Sequence, residues 1–276
     1  MPWMIPSHQA PVLPLKQWRP AWFSGLALVL GSVAPDLVFI FRLDETGSPA
    51  SHTFAGQVLI TMPLVVLLHT VVTALVLPWL LPRVPGGRPL HLHALARCRP
   101  ATDALGLARV AISGLVGGLS HVAIDGFTHG DHSGWALPLF PVLGTRVAWL
   151  SGPAPLYDVL QLTLTVALGL VALHSWDAIA RKLPQPGPGA MTRWQVNRKG
   201  FQESLAAASG LVLAAVVGAL AAAVLKSSVA ASELPKLAVY GAITGACAGA
   251  VLMAGADRLR GVLHRIRFEV DAALEA

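Results

Sequence analysis

The chain has 276 residues, 54% of them hydrophobic and 12% charged, with a mean hydropathy of +0.63. A soluble domain carries about 25% charged residues, so too few are present here to cover a water-facing surface, and an ordinary soluble globule is excluded. The net charge of +6 does not indicate a nucleic-acid binder either, because the basic residues fall in short loops between apolar stretches rather than on one soluble face.

Lipid as solvent leaves only helices and closed barrels, since the backbone must satisfy its own hydrogen bonds. The apolar stretches are long, rich in Leu, Ala and Val, and lack the alternation of strands, which predicts an all-α, polytopic integral membrane bundle. Lys16 and Arg19 precede the first apolar stretch with no small-residue cleavage site after it, so the N-terminus does not read as a cleavable signal peptide. Six spans are expected, at about 21–42, 55–81, 104–125, 156–176, 202–225 and 235–255, each near the ~20 residues a crossing needs. Gly31, Pro35 and Asp36 interrupt the first and predict a break near its outer end.

The basic residues orient these spans. With the N-terminus inside, the inner segments collect fifteen Lys and Arg, from Lys16 and Arg19 to Arg265 and Arg267, against Arg42, Arg146, Lys226 and Lys236 outside. Such an asymmetry predicts both termini on the cytoplasmic side of the plasma membrane. Organisation also changes along the chain. Residues 1–176 hold nine of the ten histidines and the acids that fall inside spans. Residues 177–276 open with Leu183-Pro-Gln-Pro-Gly-Pro-Gly and continue as two Ala/Gly-rich spans. There Gly241, Gly245 and Gly249 form a small-residue stripe suited to a packing hairpin or to contact with a second copy of the chain. Cys98 and Cys247 lie in dissimilar settings and imply neither a disulfide framework nor a thiolate metal site.

The chemistry concentrates in Leu119-Ser-His121-Val-Ala-Ile-Asp125-Gly-Phe-Thr-His129-Gly-Asp131-His132. His121 and Asp125, four apart on a helix, share a face one turn apart. A histidine and a carboxylate so placed form a two-point clamp for a divalent metal, and ionisable groups at the end of a span are costly and usually functional. The competing reading is a helix–helix hydrogen bond. Asp36 near the outer end of the first span and His52 in the loop before the second could reach the same place, as could His129, with His132 its competitor. His8 joins them if residues 8–19 run as a short half-helix of about 17 Å from the outer side, which would bring His8 to Asp36. His69, in mid-span with no acid nearby in sequence, reads as a satisfied buried histidine. No phosphate-binding loop, dinucleotide fingerprint, C-x-x-C pair or G-x-S-x-G elbow is present.

The order His8, Asp36, His52, His121-x-x-x-Asp125, His129 resembles the superfamily of zinc-dependent phospholipase C and single-strand-specific nucleases, and more closely its membrane-embedded relatives described as metal-dependent hydrolases. Among these is a bacterial family of unknown function whose pattern is similar to Pro2, His8, Gly31-Ser32, Pro35-Asp36, Ser51-His52-Thr53, Ser120-His121, Asp125, Thr128-His129 and Gly134-Trp135 of this chain. The resemblance covers about residues 1–165. It implies a site of His8, Asp36, His52, His121, Asp125 and His129 holding zinc or another divalent metal, with phosphoesters or lipid head groups as substrates. The soluble enzymes add a later helix carrying a further His and acid, where this chain has Tyr157, Asp158 and Gln161, so one or two metals are expected rather than three. The bound metal would lower the pKa of its water towards ~7 and supply hydroxide. Two other classes stand beside the hydrolase: a transporter using the intramembrane acids and histidines for an ion or proton, and a non-catalytic membrane scaffold.

Overall fold

A computed structural model describes residues 7–40, 50–81, 92–130, 133–149, 152–183, 249, 253–263 and 266. The expected spans at 202–225 and 235–255 lie almost wholly outside these residues, as does the Gly241, Gly245 and Gly249 stripe apart from Gly249. The chain divides into two compact units, residues 1–70 with 100–184, and residues 71–99 with 185–276.

The first unit opens with a 3₁₀ turn at Ser7–Gln9 and a short helix α1 (Leu13–Trp18). Next come α2 (Gly25–Gly31) and α3 (Ala34–Ile40). A 3₁₀ turn at Ala50–His52 leads into α4 (Phe54–Leu80), a helix with π-type turns at Gln57–Thr61 and Val72–Val76, the residues from Val71 onward being counted with the second unit. The long helices α5 (Ala104–Thr128) and α6 (Leu156–Lys182) complete the set. Before α6, Arg146–Val147 pairs antiparallel with Ala154–Pro155.

Three of these helices, α4, α5 and α6, are long and apolar enough to cross a membrane, and they coincide with three of the six expected spans. The expected first span takes a different form. It is divided into α2 and α3, described over seven residues each. Pro35 has no N–H to donate to the Gly31 carbonyl, and the preceding turn tightens, with Val33 N bonded to Leu30 O at 3.2 Å.

Capping fixes where the helices begin. The Ser24 side chain accepts from Ala27 N at 3.3 Å to start α2, and Thr53 accepts from Gly56 N at 3.0 Å to start α4. Asp103 accepts from Gly106 N at 2.7 Å to start α5. Asp103→Ala is therefore expected to destabilise the fold by about 1 kcal/mol, read as a lowered midpoint of thermal unfolding in detergent, with no effect on metal content because Asp103 lies at the opposite end of α5 from Asp125.

The close pair in this unit is α2 on α5. A side chain at Gly31 would strike the Gly114 backbone, and one at Gly117 would strike the backbones of Leu28, Gly31 and Ser32. Small residues let the two helices approach backbone to backbone, as membrane helices commonly do. Ala27, Ala34, Val65 and Val110 form the buried core beside this contact, and Ala10, Leu13 and Ala172 form a second cluster. Within the second unit, Trp79 Nε1 donates to Asp257 Oδ2 at 2.9 Å and the Arg258 guanidinium to Ala74 O at 2.9 Å.

Candidate metal centre

His121 and Asp125 lie on one face of α5, as their spacing requires, and both are buried. α3 contributes Asp36 and the 3₁₀ turn before α4 contributes His52, also buried. Asp36, His52, His121 and Asp125 each offer one ligand atom, all within 4.8 Å of one another, so these four buried residues could hold a metal ion.

Hydrogen bonding sets the character of this cluster. His121 Nδ1 lies 2.9 Å from the Ser32 carbonyl oxygen. A carbonyl only accepts, so Nδ1 carries the ring proton and the lone pair of the neutral imidazole is on Nε2. That Nε2 stands 3.1 Å from Asp125 Oδ2 and 3.4 Å from Asp36 Oδ1. His52 Nε2 faces the same two oxygens at 3.4 and 3.7 Å. Lone pairs converging on one buried point repel unless a positive charge lies among them, either an imidazolium proton or a cation. The chemistry of the donor set, two imidazoles and two carboxylates, suits a divalent metal such as zinc. A backbone carbonyl holding the second nitrogen of a ligand histidine is the usual outer-shell partner.

The other two expected residues border the second oxygen of Asp125. His8 Nε2 is 3.1 Å from Asp125 Oδ1, and its ring lies 4.1 Å from that of His121. The N-terminal segment thus carries His8 into the cluster, with Asp125 rather than Asp36 as its partner. The His8 imidazole pKa is lowered, because burial outweighs the opposing hydrogen bond to Asp125. His129, at the end of α5, has Nδ1 3.6 Å from Asp125 Oδ1, 3.2 Å from Thr128 Oγ1, and Nε2 3.5 Å from Gln161 Nε2 of α6. His132 lies outside the described residues. His69 is buried in α4, with Nε2 3.3 Å from Ser24 Oγ.

Sequence reasoning missed the supports of the cluster. The Ser32 carbonyl is exposed for use by the break between α2 and α3. Gln57 and Thr61 are fully buried in α4, facing Gly118 of α5. Gln57 Nε2 donates to the Ser51 carbonyl, while Gln57 Oε1 and Thr61 Oγ1 have no hydrogen-bond partner among the described residues. Two polar residues four apart inside an apolar span are a signal that could have found them.

Fold and cluster together define a helical protein with membrane-length helices and a buried His/Asp site able to hold a metal. The chain belongs to the family described as Domain of unknown function (DUF4184), whose model matches residues 1–255. No curated protein and no solved structure matches the chain. A family of unknown function is thus shown, and none of these comparisons carries the resemblance to the zinc-dependent phospholipase and nuclease superfamily.

Proposed function

We propose that this chain is a multi-pass plasma-membrane hydrolase that uses a divalent metal, zinc being the best fit, to cleave phosphoester or lipid head-group substrates at the outer face. The observation that carries the reading is the His121 lone pair held by Ser32 against two carboxylate oxygens. A divalent ion there supplies Lewis acidity and activates water for attack on an ester. His121, His52, Asp36 and Asp125 would hold it. His8 and His129 flank Asp125 Oδ1, where they orient that carboxylate or complete a second metal's ligands. The outward site, both termini inside, the membrane lipids as partners and any association of copies through the Gly241, Gly245 and Gly249 stripe rest on the charge asymmetry and the sequence pattern.

Buried polar groups favour a second reading, a transporter. Gln57, Thr61 and His69 lie on one face of α4 and descend from the cluster towards Ser24 and Ser113. Val65 sits in that series, fully buried and packed against Gly114 and Ala27. It closes the route, and for that reason we prefer the hydrolase. The third reading, a scaffold, takes the cluster as an imidazolium bonded between two carboxylates.

Elemental mass spectrometry on the detergent-purified protein tests these readings. The expected result is about one zinc per chain for a four-residue site, followed by metal-dependent cleavage in a screen of phosphodiesters and phospholipids. A folded protein that takes up no stoichiometric metal after zinc loading rules out the hydrolase. Ion-dependent flux in vesicles would then indicate the transporter, and its absence the scaffold.

A further inference from the structure

Ser51 lies between the helix break and the cluster and is fully buried. Its hydroxyl donates to the Pro35 carbonyl at 3.0 Å and stands 3.3 Å from His52 Nδ1. A hydroxyl has one hydrogen. With that hydrogen on a carbonyl, Ser51 Oγ presents only lone pairs to His52, and the contact is attractive when Nδ1 carries the ring proton. Neutral His52 then has its lone pair on Nε2, the atom turned towards Asp125 and Asp36.

We propose that Ser51 is a positioning residue of the metal centre, locking His52 in its Nδ1–H form and so presenting Nε2 to the point that His121 Nε2 also faces. The inference rests on the reading of the cluster as a metal site. Backbone carbonyls on either side of the α2–α3 break then serve the two rings, Ser32 in the break itself and Pro35 in the first turn of α3. The carbonyl of Ser32 orients His121 directly, and the carbonyl of Pro35 orients His52 through one intervening hydroxyl. Ser51 itself is held by its neighbours: Gln57 Nε2 donates to its carbonyl, and Gly56 packs against Ala50 and Ser51 so closely that no side chain fits between. Thr53 Oγ1 donates to Ala50 O at 2.7 Å and stiffens the same turn. The hydroxyl therefore sits in a fixed frame, which is what tautomer control requires.

Two measurements decide the matter. The first is nitrogen-15 NMR of the metal-free, unsubstituted protein labelled at histidine, with His52→Gln to assign the signal. The expected result is a neutral His52 protonated at Nδ1. The second is zinc affinity by chelator competition for the parent, Ser51→Ala and Ser51→Thr. Ser51→Ala is expected to lower the thermal midpoint of the metal-free protein only modestly, as the loss of one buried hydrogen bond does, but to bind zinc about 10–100-fold more weakly, the usual effect of losing an outer-shell partner. Ser51→Thr, which keeps the hydroxyl, is expected to recover most of that affinity. A parent that binds no zinc removes the metal centre and this inference with it. A parent that binds zinc while Ser51→Ala binds equally well, or while His52 is protonated at Nε2, overturns the role of Ser51 alone. If Ser51→Ala does not fold, the tautomer in the parent gives the answer.

Discussion

Asp125→Ala is expected to abolish zinc binding and to have the largest effect of any single substitution in the cluster. Both carboxylate oxygens of Asp125 are used: Oδ2 faces His121 and His52, and Oδ1 faces His8 and His129. Removing it takes away a ligand and the anionic partner of four rings. The loss in affinity should exceed the ~10–100-fold typical of an outer-shell residue. Metal content of the purified variant is the direct readout, and a variant that retains stoichiometric zinc would remove Asp125 from the site. The thermal midpoint of the parent adds a second arm. An ion bound at 1,000 times its Kd stabilises the fold by about 4 kcal/mol, so chelation should lower the midpoint of the parent and leave that of Asp125→Ala unchanged. An imidazolium held between two carboxylates gives the opposite pattern: chelation does nothing to the parent, while deletion of Asp125 costs about 3–5 kcal/mol because buried charge is left uncompensated.

Gly117→Val is the second large effect expected, and it acts at a distance from the ligands. The added side chain meets the backbones of Leu28, Gly31 and Ser32. No rotamer relieves a clash with backbone, so α2 must move away from α5. Overpacking of this kind costs about 1–3 kcal/mol, occasionally more. The same displacement draws the Ser32 carbonyl away from His121 Nδ1, so zinc affinity should fall together with stability. Gly169→Ala on α6 is the control. Nothing lies within 4 Å of a side chain added there, and the substitution should raise helix stability by up to about 1 kcal/mol without touching zinc binding. Equal behaviour of the two variants would refute the close-contact account of α2 and α5.

The three long helices could be read in the sequence because length and apolar content suffice for that. The His121 and Asp125 pair was legible for a similar reason, since a helix fixes what four residues of spacing mean. Pro35 announced an interruption, and the structure turns it into two helices rather than one frayed end. The convergence of Asp36 and His52 on that pair rests on how α2 packs against α5, through glycines whose partners lie far along the chain, and composition does not encode that. The Ser32 and Pro35 carbonyls carry no side-chain signature at all. The Ser32 carbonyl acquires its role because the helix that would have consumed it is broken, and the sequence marks Ser51 only as part of the Ser51-His52-Thr53 pattern.

The cluster joins parts of the chain that are synthesised far apart. Ser32 and His121 are 89 positions apart, and His8 and Asp125 are 117 apart. Translation delivers the chain from the N-terminus at about 5–20 residues per second, so His8, Asp36 and His52 wait several seconds before α5 leaves the ribosome. During that interval the carboxylate of Asp36 has no His121 to face. Closure of such long loops is entropically unfavourable until α2 docks on α5, which makes the arrival of α5 the step that commits the N-terminal half to its final form. A nascent chain halted before residue 121 therefore has the first two expected spans but no site, and any ion is acquired only after α5 is in place.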